Sequence, residues 1–435
     1  MSCCHYYADN ESGDNVFSVD MSAIKFGHGA IEEVGFDARS LGIKRAALFT
    51  DSVVKSLPAF ETIINSCRKA GVDVEVFSDV RVEPTDKSFQ QAIAFASESN
   101  FDGYISLGGG SVIDTCKAAN LYSTWPADFM AYVNAPLGEG KSVPGPLKPH
   151  IACPTTSGTG SECTGIAVFD LEALRVKTGI ASRDLRPSRA VIDPSVTHSM
   201  PATVVACTGF DVLCHALESF TALPHTERPK PQDPGLRPMS QGANPWSDLG
   251  SREALKICGD HIVRASSDEC DIEAREQMMY AATLAGIAFG NAGVHVPHGM
   301  SYSVAGMVQN YNPPGYPHDH SMCPHGMSVI VNAPSAFRFT GAASPDRHLL
   351  GAELLGADIR GATPDDAGEI VAQQLMKLMQ ATLMPNGIAE IGYDHSNIND
   401  LAAGAFAQQR LLKNSPREVS EDDLKLLYKD AMSYW

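Results

Sequence analysis

Tyr104-Ile-Ser-Leu-Gly-Gly-Gly-Ser-Val-Ile-Asp114 passes from an apolar strand pattern, through three glycines, into a helical one. Tyr104 to Leu107 has strand length, Gly108, Gly109, Gly110 and Ser111 form the turn, and helical spacing begins at Val112. Backbone N–H groups in such a turn can approach an anion closely, and the helix dipole favours negative charge there. By itself the triplet reads equally well as a tight turn. Two features add to it. Asp114 and Lys117 share one helical face, and a second loop of small residues, Pro154-Thr-Thr-Ser-Gly-Thr-Gly-Ser-Glu162, follows the apolar Ile151-Ala-Cys153. That loop offers free amides and the hydroxyls of Thr155, Thr156 and Ser157 to phosphate or ribose. The spacing matches neither the GxGxxG fingerprint nor a P-loop, which argues against an NTPase.

The same alternation continues upstream. Arg45 to Thr50 reads as a buried strand ending at Asp51, Ala59 to Ala70 as a helix stopped by Gly71, Val72 to Phe77 as a strand, and Phe89 to Ser99 as a helix. Strands alternating with helices imply a parallel sheet joined by crossovers. Beyond Pro194 the period turns helical, through Thr208–Thr221, Asp248–Ala265, Ala274–Phe289, Pro364–Met384 and Ile398–Gln409. Leu223 to Trp246, rich in proline and polar residues, reads as a long inserted loop. The expected division is an α/β dinucleotide-binding domain over 1–193 and an all-helical metal-binding and substrate domain over 194–435.

Composition narrows the function. A chain of 435 residues holds about two or three domains. A net charge of −18 repels nucleic acid and anionic lipid, so neither a nucleic-acid nor a membrane partner is expected. An anionic substrate would need a local Lys or Arg. Arg228, Lys230 and Arg237 in the inserted loop read as solvated charges. The eleven cysteines are scattered without a CxxC, the pattern of reduced thiols. The first residues, MSCCHYYADNESGDN, have neither a signal-peptide core nor a transit-peptide pattern. A cytoplasmic location is therefore expected, with the mitochondrial matrix as the alternative for a eukaryotic source.

Gly209-Phe-Asp-Val-Leu-Cys-His-Ala-Leu-Glu218 sets Asp211 and His215 four apart, one helical turn, on one face. Two His-Gly pairs follow, at His298 and His325. Each feature has an ordinary reading, a surface pair or a turn. Together they propose one carboxylate and three imidazoles around a divalent ion, Fe(II) or Zn(II). His295, His318 and His320 lie nearby and are not expected as ligands. His295 is three residues from His298 and could share its face, and His318 and His320 read as an exposed loop.

These segments resemble the iron-containing (group III) alcohol dehydrogenase family: GGGSVIDTCKAANLY from Gly108, PTTSGTGSE from Pro154, FDVLCHALES from Phe210, NAGVHVPHGMSY from Asn291 and PHGMSV from Pro324. Within it, VRVEPTD from Val80, KTGIASR from Lys177, the insertion ending QGANPWSD, and RHLLGAELLGAD from Arg347 are similar to the hydroxyacid–oxoacid transhydrogenase branch. The resemblance implies the iron alcohol dehydrogenase (dehydroquinate synthase-like) architecture. It implies metal ligation by Asp211, His215, His298 and His325, and pyrophosphate binding at Gly108–Ser111. Asp51 falls where the adenosine ribose is read, which favours NAD over NADP. Thr155, Thr156 and Lys177 match cofactor-contacting positions. Where many relatives carry a further histidine, four residues after the third ligand, this chain has Tyr302, as proton donor or pocket wall. The implied reaction oxidises a hydroxy acid such as 4-hydroxybutyrate to succinate semialdehyde and reduces the oxo acid 2-oxoglutarate to 2-hydroxyglutarate through bound NAD. Self-association into a homo-oligomer is implied as well. The rival readings are a simple NAD-dependent alcohol dehydrogenase, a dehydroquinate synthase-like lyase and a non-catalytic scaffold.

Overall fold

The computed structural model describes residues 10–174, 176–316 and 320–435. The three expected strands appear within a residue or two of their pattern as β2 (Arg45–Phe49), β3 (Asp73–Phe77) and β4 (Gly103–Gly108), the apolar Ile151–Cys153 lies in β5 (His150–Pro154), and β1 (Ala23–Phe26), β6 (Ile166–Leu171), β7 (Val176–Ala181) and β8 (Arg189–Ile192) are additional. Six of them form a parallel sheet in the order β1-β8-β5-β4-β2-β3, while β6 and β7 pair antiparallel on their own. Helices α1 (Val34–Ser40), α2 (Pro58–Ala70), α3 (Asp86–Glu98), α4 (Gly110–Thr124) and α5 (Phe129–Tyr132) belong to the same unit, residues 21–200.

Successive residues of β2 explain why the sheet is covered on both faces. Ala46 and Leu48 pack with Val34 and Ala38 of α1 and Ile63 and Cys67 of α2. Ala47 and Phe49 point the other way, into a cluster with Ala92 and Ala96 of α3 and Val112 and Cys116 of α4. A parallel strand buried on both faces carries a continuous apolar run, which is what made these strands readable. From β2 the chain steps outward to β3, then returns to place β4 on the other side of β2 and continues to β5. The order therefore reverses between β2 and β4. A crevice outside the carboxyl ends of the strands at such a reversal is where open α/β sheets take ligands.

The second unit comprises residue 201 onward together with the described part of residues 1–20. Its helices are α6 (Ala202–Thr221), α7 (Pro245–Ser267), α8 (Ile272–Ala292), α9 (Val296–Met307), α10 (His325–Ile330), α11 (Ala333–Thr340), α12 (Pro345–Leu354), α13 (Ala367–Ala381), α14 (Ile398–Phe406), α15 (Gln409–Leu412) and α16 (Glu421–Asp430). The units differ from the division at 193/194. The short turn Pro194–Thr197 stays with the sheet unit, and the N-terminal segment joins the helical one. Arg237 binds Asp14 at 2.7 Å, Gln241 accepts from the Ser18 N–H at 2.8 Å, and Asn291 accepts from the Asp20 N–H at 2.8 Å. Long-range pairings of this kind leave no periodic trace in sequence.

Among the described residues, α6 alone is long and apolar enough to cross a membrane, yet 83% of its most apolar window is buried inside the fold. It is a core helix, apolar all round because neighbours surround it. Nine described cysteines are free thiols, whereas Cys3 and Cys4 lie outside the described residues.

Candidate metal centre and nucleotide loop

Four side chains converge within the helical unit. Asp211 and His215 project from the middle of α6, His298 from the first turn of α9, and His325 opens α10. Both His-Gly pairs are helix starts, with Pro297 inside the first turn of α9 and Pro324 capping α10. The Asp211 Oδ1 lies 3.6, 3.5 and 3.6 Å from the Nε2 atoms of His215, His298 and His325. All four ligand atoms fall within 4.8 Å of one another, and no other such cluster occurs among the described residues. Ligands about 2.1 Å from a tetrahedral centre stand roughly 3.4 Å apart, close to these separations. The Asp211 Oδ1 and His298 Nε2 are also buried without a hydrogen-bond partner. Orphaned buried polar atoms need an explanation, and a shared cation supplies one. The residues present therefore fit a divalent ion.

The electrostatics divide the ligands: at His298 burial is outweighed by the carboxylates of Glu218 and Asp211, which raise the ring to about 9. Burial opposes ionisation of Asp211, but the imidazoles of His215, His325 and His298 outweigh it and hold the carboxyl far below its usual range. Burial pushes His215 down to about 3, leaving it neutral and able to donate a lone pair. Its ring stacks on Phe289 with centroids 3.9 Å apart. Tyr302 is buried one turn beyond His298, its ring centroid 6.4 Å from that of His325.

Glu218 went unread in the sequence. It is fully buried on α6, and its Oε1 lies 2.6 Å from the His298 Nδ1. The signal was present, since positions 211, 215 and 218 share one helical face. His295, by contrast, turns away from the cluster and meets Thr221 Oγ1 at 3.0 Å. His320 is half-buried rather than exposed, and His318 lies outside the described residues. Arg228 and Arg237 are not the solvated charges expected. Arg237 binds Asp14, while Arg228 is half-buried and donates to Asn414 Oδ1 at 2.6 Å. Lys230 is exposed.

In the sheet unit, the other expected residues gather at the carboxyl ends of three adjacent strands. Asp51 follows β2, where its Oδ1 accepts from the N–H groups of Val53 and Val54 at 2.9 Å each. Gly108 ends β4, Gly109 caps α4, and Gly110 and Ser111 begin that helix. Thr155, Thr156 and Ser157 follow β5. A Cβ on Gly109 would sit 3.2 Å from Thr156, and one on Gly110 would sit 2.6 Å from Thr159, so only glycine lets the loops approach. Asp114 and Lys117 make hydrogen bonds within the unit. Asp114 accepts from the Val168 N–H at 2.9 Å and from Ser161, and Lys117 donates to Ser161 Oγ and to the Ile166 carbonyl. Lys177, on β7, is buried between Glu83 at 2.7 Å and Asp170 at 2.9 Å.

Residues 22–194 match the iron-containing alcohol dehydrogenase family, and residues 239–432 match its C-terminal part. The chain belongs to this family. As an iron-containing alcohol dehydrogenase it is a metal-dependent oxidoreductase of small molecules that works with a nicotinamide cofactor. It is 50% identical to the mitochondrial hydroxyacid–oxoacid transhydrogenase of Bos taurus, over 97% of this chain and 91% of that one. Its fold is similar to the crystal structure of 1,3-propanediol oxidoreductase, at TM-score 0.83 and 27% identity over 96% of this chain and 100% of that one. Sulfoacetaldehyde reductase from Bifidobacterium kashiwanohense, crystallised with NAD+, matches at TM-score 0.78 and 25% identity, over 96% of this chain and 99% of that one.

The cytoplasmic expectation is corrected by these relatives, because the transhydrogenases matched are mitochondrial proteins by name. Composition, free thiols and net charge report on surface solvation and redox state. They do not distinguish one reducing compartment from another.

Proposed function

We propose that this enzyme is a hydroxyacid–oxoacid transhydrogenase that oxidises 4-hydroxybutyrate to succinate semialdehyde and reduces 2-oxoglutarate to 2-hydroxyglutarate. The observation supporting it most is the four-ligand cluster, three of its members buried, with its two orphaned atoms, in a chain half identical to a transhydrogenase. When bound, the ion, Fe(II) by family likeness with Zn(II) as the alternative, would supply Lewis acidity toward a substrate oxygen, and NAD would supply the hydride chemistry.

The remaining work falls to the chain. Asp211 brings the negative charge that offsets a dication, and Phe289 packs flat on His215 to keep water from that ligand. Tyr302 walls the pocket beside His325. Gly108 to Ser111, with Thr155, Thr156 and Ser157, hold the pyrophosphate and ribose through backbone amides and hydroxyls. Asp51 reads the adenosine ribose and repels a 2′-phosphate. Asp114 contributes by fixing the loop from behind, and Lys177 by a contact made from within its carboxylate pair. The subunits self-associate, which light scattering tests.

The decisive assay uses desalted protein with Fe(II) and no added nicotinamide. Supplied with 4-hydroxybutyrate and 2-oxoglutarate, it should form succinate semialdehyde and 2-hydroxyglutarate in equal amounts, with parallel initial-velocity lines. Turnover that waits for added NAD and then releases NADH without an oxo acid would make it an ordinary alcohol dehydrogenase.

A further inference from the structure

One carboxylate, that of Glu218, serves three donors. Its Oε1 takes the His298 Nδ1–H at 2.6 Å, and its Oε2 takes the backbone N–H groups of His295 at 2.7 Å and His298 at 3.4 Å. The last two are at the start of α9, whose own N-cap residue, His295, makes no side-chain cap. Glu218 therefore caps α9 from α6 while gripping the ring that α9 presents. We propose that Glu218 is a positioning residue for the metal centre, fixing the tautomer and orientation of His298 so that its Nε2 lone pair faces the Asp211 Oδ1. The proposal rests on the metal-centre reading above.

The chemistry is specific. An imidazole ligates through a nitrogen that carries no proton. An acceptor-only group at Nδ1 obliges the proton to sit there and leaves Nε2 bare. Glu218 has no proton to offer while ionised, and every neighbour it meets here is a donor. Glu218→Gln keeps the shape but breaks this logic. With its carbonyl oxygen toward Nδ1, its NH2 faces the His295 N–H. Turned over, its NH2 faces Nδ1 and drives the ring proton onto Nε2, where it blocks ligation.

The test is Zn(II) affinity, measured by competition against a chelator, with the visible spectrum of the Co(II)-loaded protein as a second readout. Glu218→Gln is expected to weaken Zn(II) binding by about 10–100-fold and to alter the Co(II) bands. Glu218→Asp, still an acceptor-only group, is expected to recover part of the loss. In a His298→Ala background, Glu218→Gln should cost no further affinity. A purely structural Glu218 would instead lower the melting temperature of the metal-free protein while folded molecules kept wild-type affinity and spectrum, and that result overturns the proposal. Additive losses in the double variant overturn it too. If the wild type binds no Zn(II) at these residues, the metal-centre reading itself falls, a different outcome from wild-type binding that Glu218→Gln leaves unchanged. Should the variants not fold, long-range 15N correlation spectra of histidine-labelled wild type decide. In the Zn(II)-loaded protein, a proton on the His298 Nδ1 supports the proposal, and one on Nε2 refutes it.

Discussion

A single methyl group at Gly326 tests how tightly the seating of α10 on α6 sets the ligand geometry. An ideal Cβ there lies 1.9 Å from the carbonyl oxygen of Cys207 and 2.9 Å from the Cβ of Asp211. Real Cβ atoms keep beyond 3.0 Å of such neighbours, so α10 must retreat by about 1.1 Å, the difference between 3.0 and 1.9. The obstacle cannot yield, because it is main chain in the buried body of α6. His325 is the adjacent residue, and the retreat draws its Nε2 away from an Asp211 Oδ1 now at 3.6 Å. Overpacking of this order costs about 1–3 kcal/mol. In a unit of this size that lowers the melting temperature by roughly 3–10 °C. A misplacement of about 1 Å at a reacting centre costs on the order of 100-fold in rate. Gly326→Ala should therefore show all three effects together: a lower melting temperature without metal, Zn(II) affinity reduced by at least about 10-fold in chelator competition, and turnover down by about 100-fold. A variant that melts lower but keeps wild-type affinity and turnover would refute the reasoning, since α10 would then move without disturbing the ligand set.

Three other perturbations separate the remaining assignments. Gly110→Ala drives a Cβ to within 2.6 Å of Thr159 and should weaken NAD binding by about 10-fold or more without changing Zn(II) affinity; calorimetric titration with each ligand checks both halves. Asp51→Asn keeps the acceptor for Val53 and Val54 but removes the charge, so the ratio of NADP to NAD affinity should rise by about 10-fold. An unchanged ratio would remove Asp51 from ribose recognition. Burial pushes the Glu162 carboxyl from 4.5 up to about 7, so the folded protein keeps a proton there that the unfolded chain has already lost. Stability from this group is greatest below 4.5 and declines as pH rises through 7; Glu162→Gln should gain on the wild type between pH 5 and pH 8 by up to about 3 kcal/mol, seen as a widening gap in melting temperature.

What could be read beforehand was what is local. A strand buried on both faces, such as β2, writes an unbroken apolar run, and the glycines after β4 mark the place where backbone must approach backbone. Asp211 and His215 were legible because a helix turns their spacing into a shared face. His298 and His325 were legible as His-Gly pairs, but not the helix starts that carry them, each with a proline beside its histidine. The pairings that needed three dimensions stayed hidden. The β6–β7 hairpin, the Arg237–Asp14 pair and the grip of Glu218 on His298 join residues by contact alone. Asp114 and Lys117 are a different case. Their common face suggested a ligand, but that face looks into the protein, where a loop and a hairpin strand use up their hydrogen bonds.

The composition of α6 follows from the same centre. A helix with the mean hydropathy of a membrane span carries Asp211, His215 and Glu218, all buried. Buried charges are tolerated only when opposite charge or hydrogen bonds compensate them. Glu218 is compensated fully, by one ring N–H and two backbone N–H groups. The Oδ1 of Asp211 has no donor and meets three imidazole nitrogens at 3.5 to 3.6 Å, too long for ordinary hydrogen bonds. The two carboxylates stand on the same helical face in the same apolar surroundings, yet the protein satisfies one and leaves an oxygen of the other without a donor. That asymmetry is what a metal site requires: the satisfied carboxylate fixes a ligand, and the unsatisfied one waits for a cation. A cation bound at Asp211 stabilises the folded state by an amount that grows with the logarithm of its affinity, so the apolar packing around α6 and the affinity of the centre are two expressions of one arrangement.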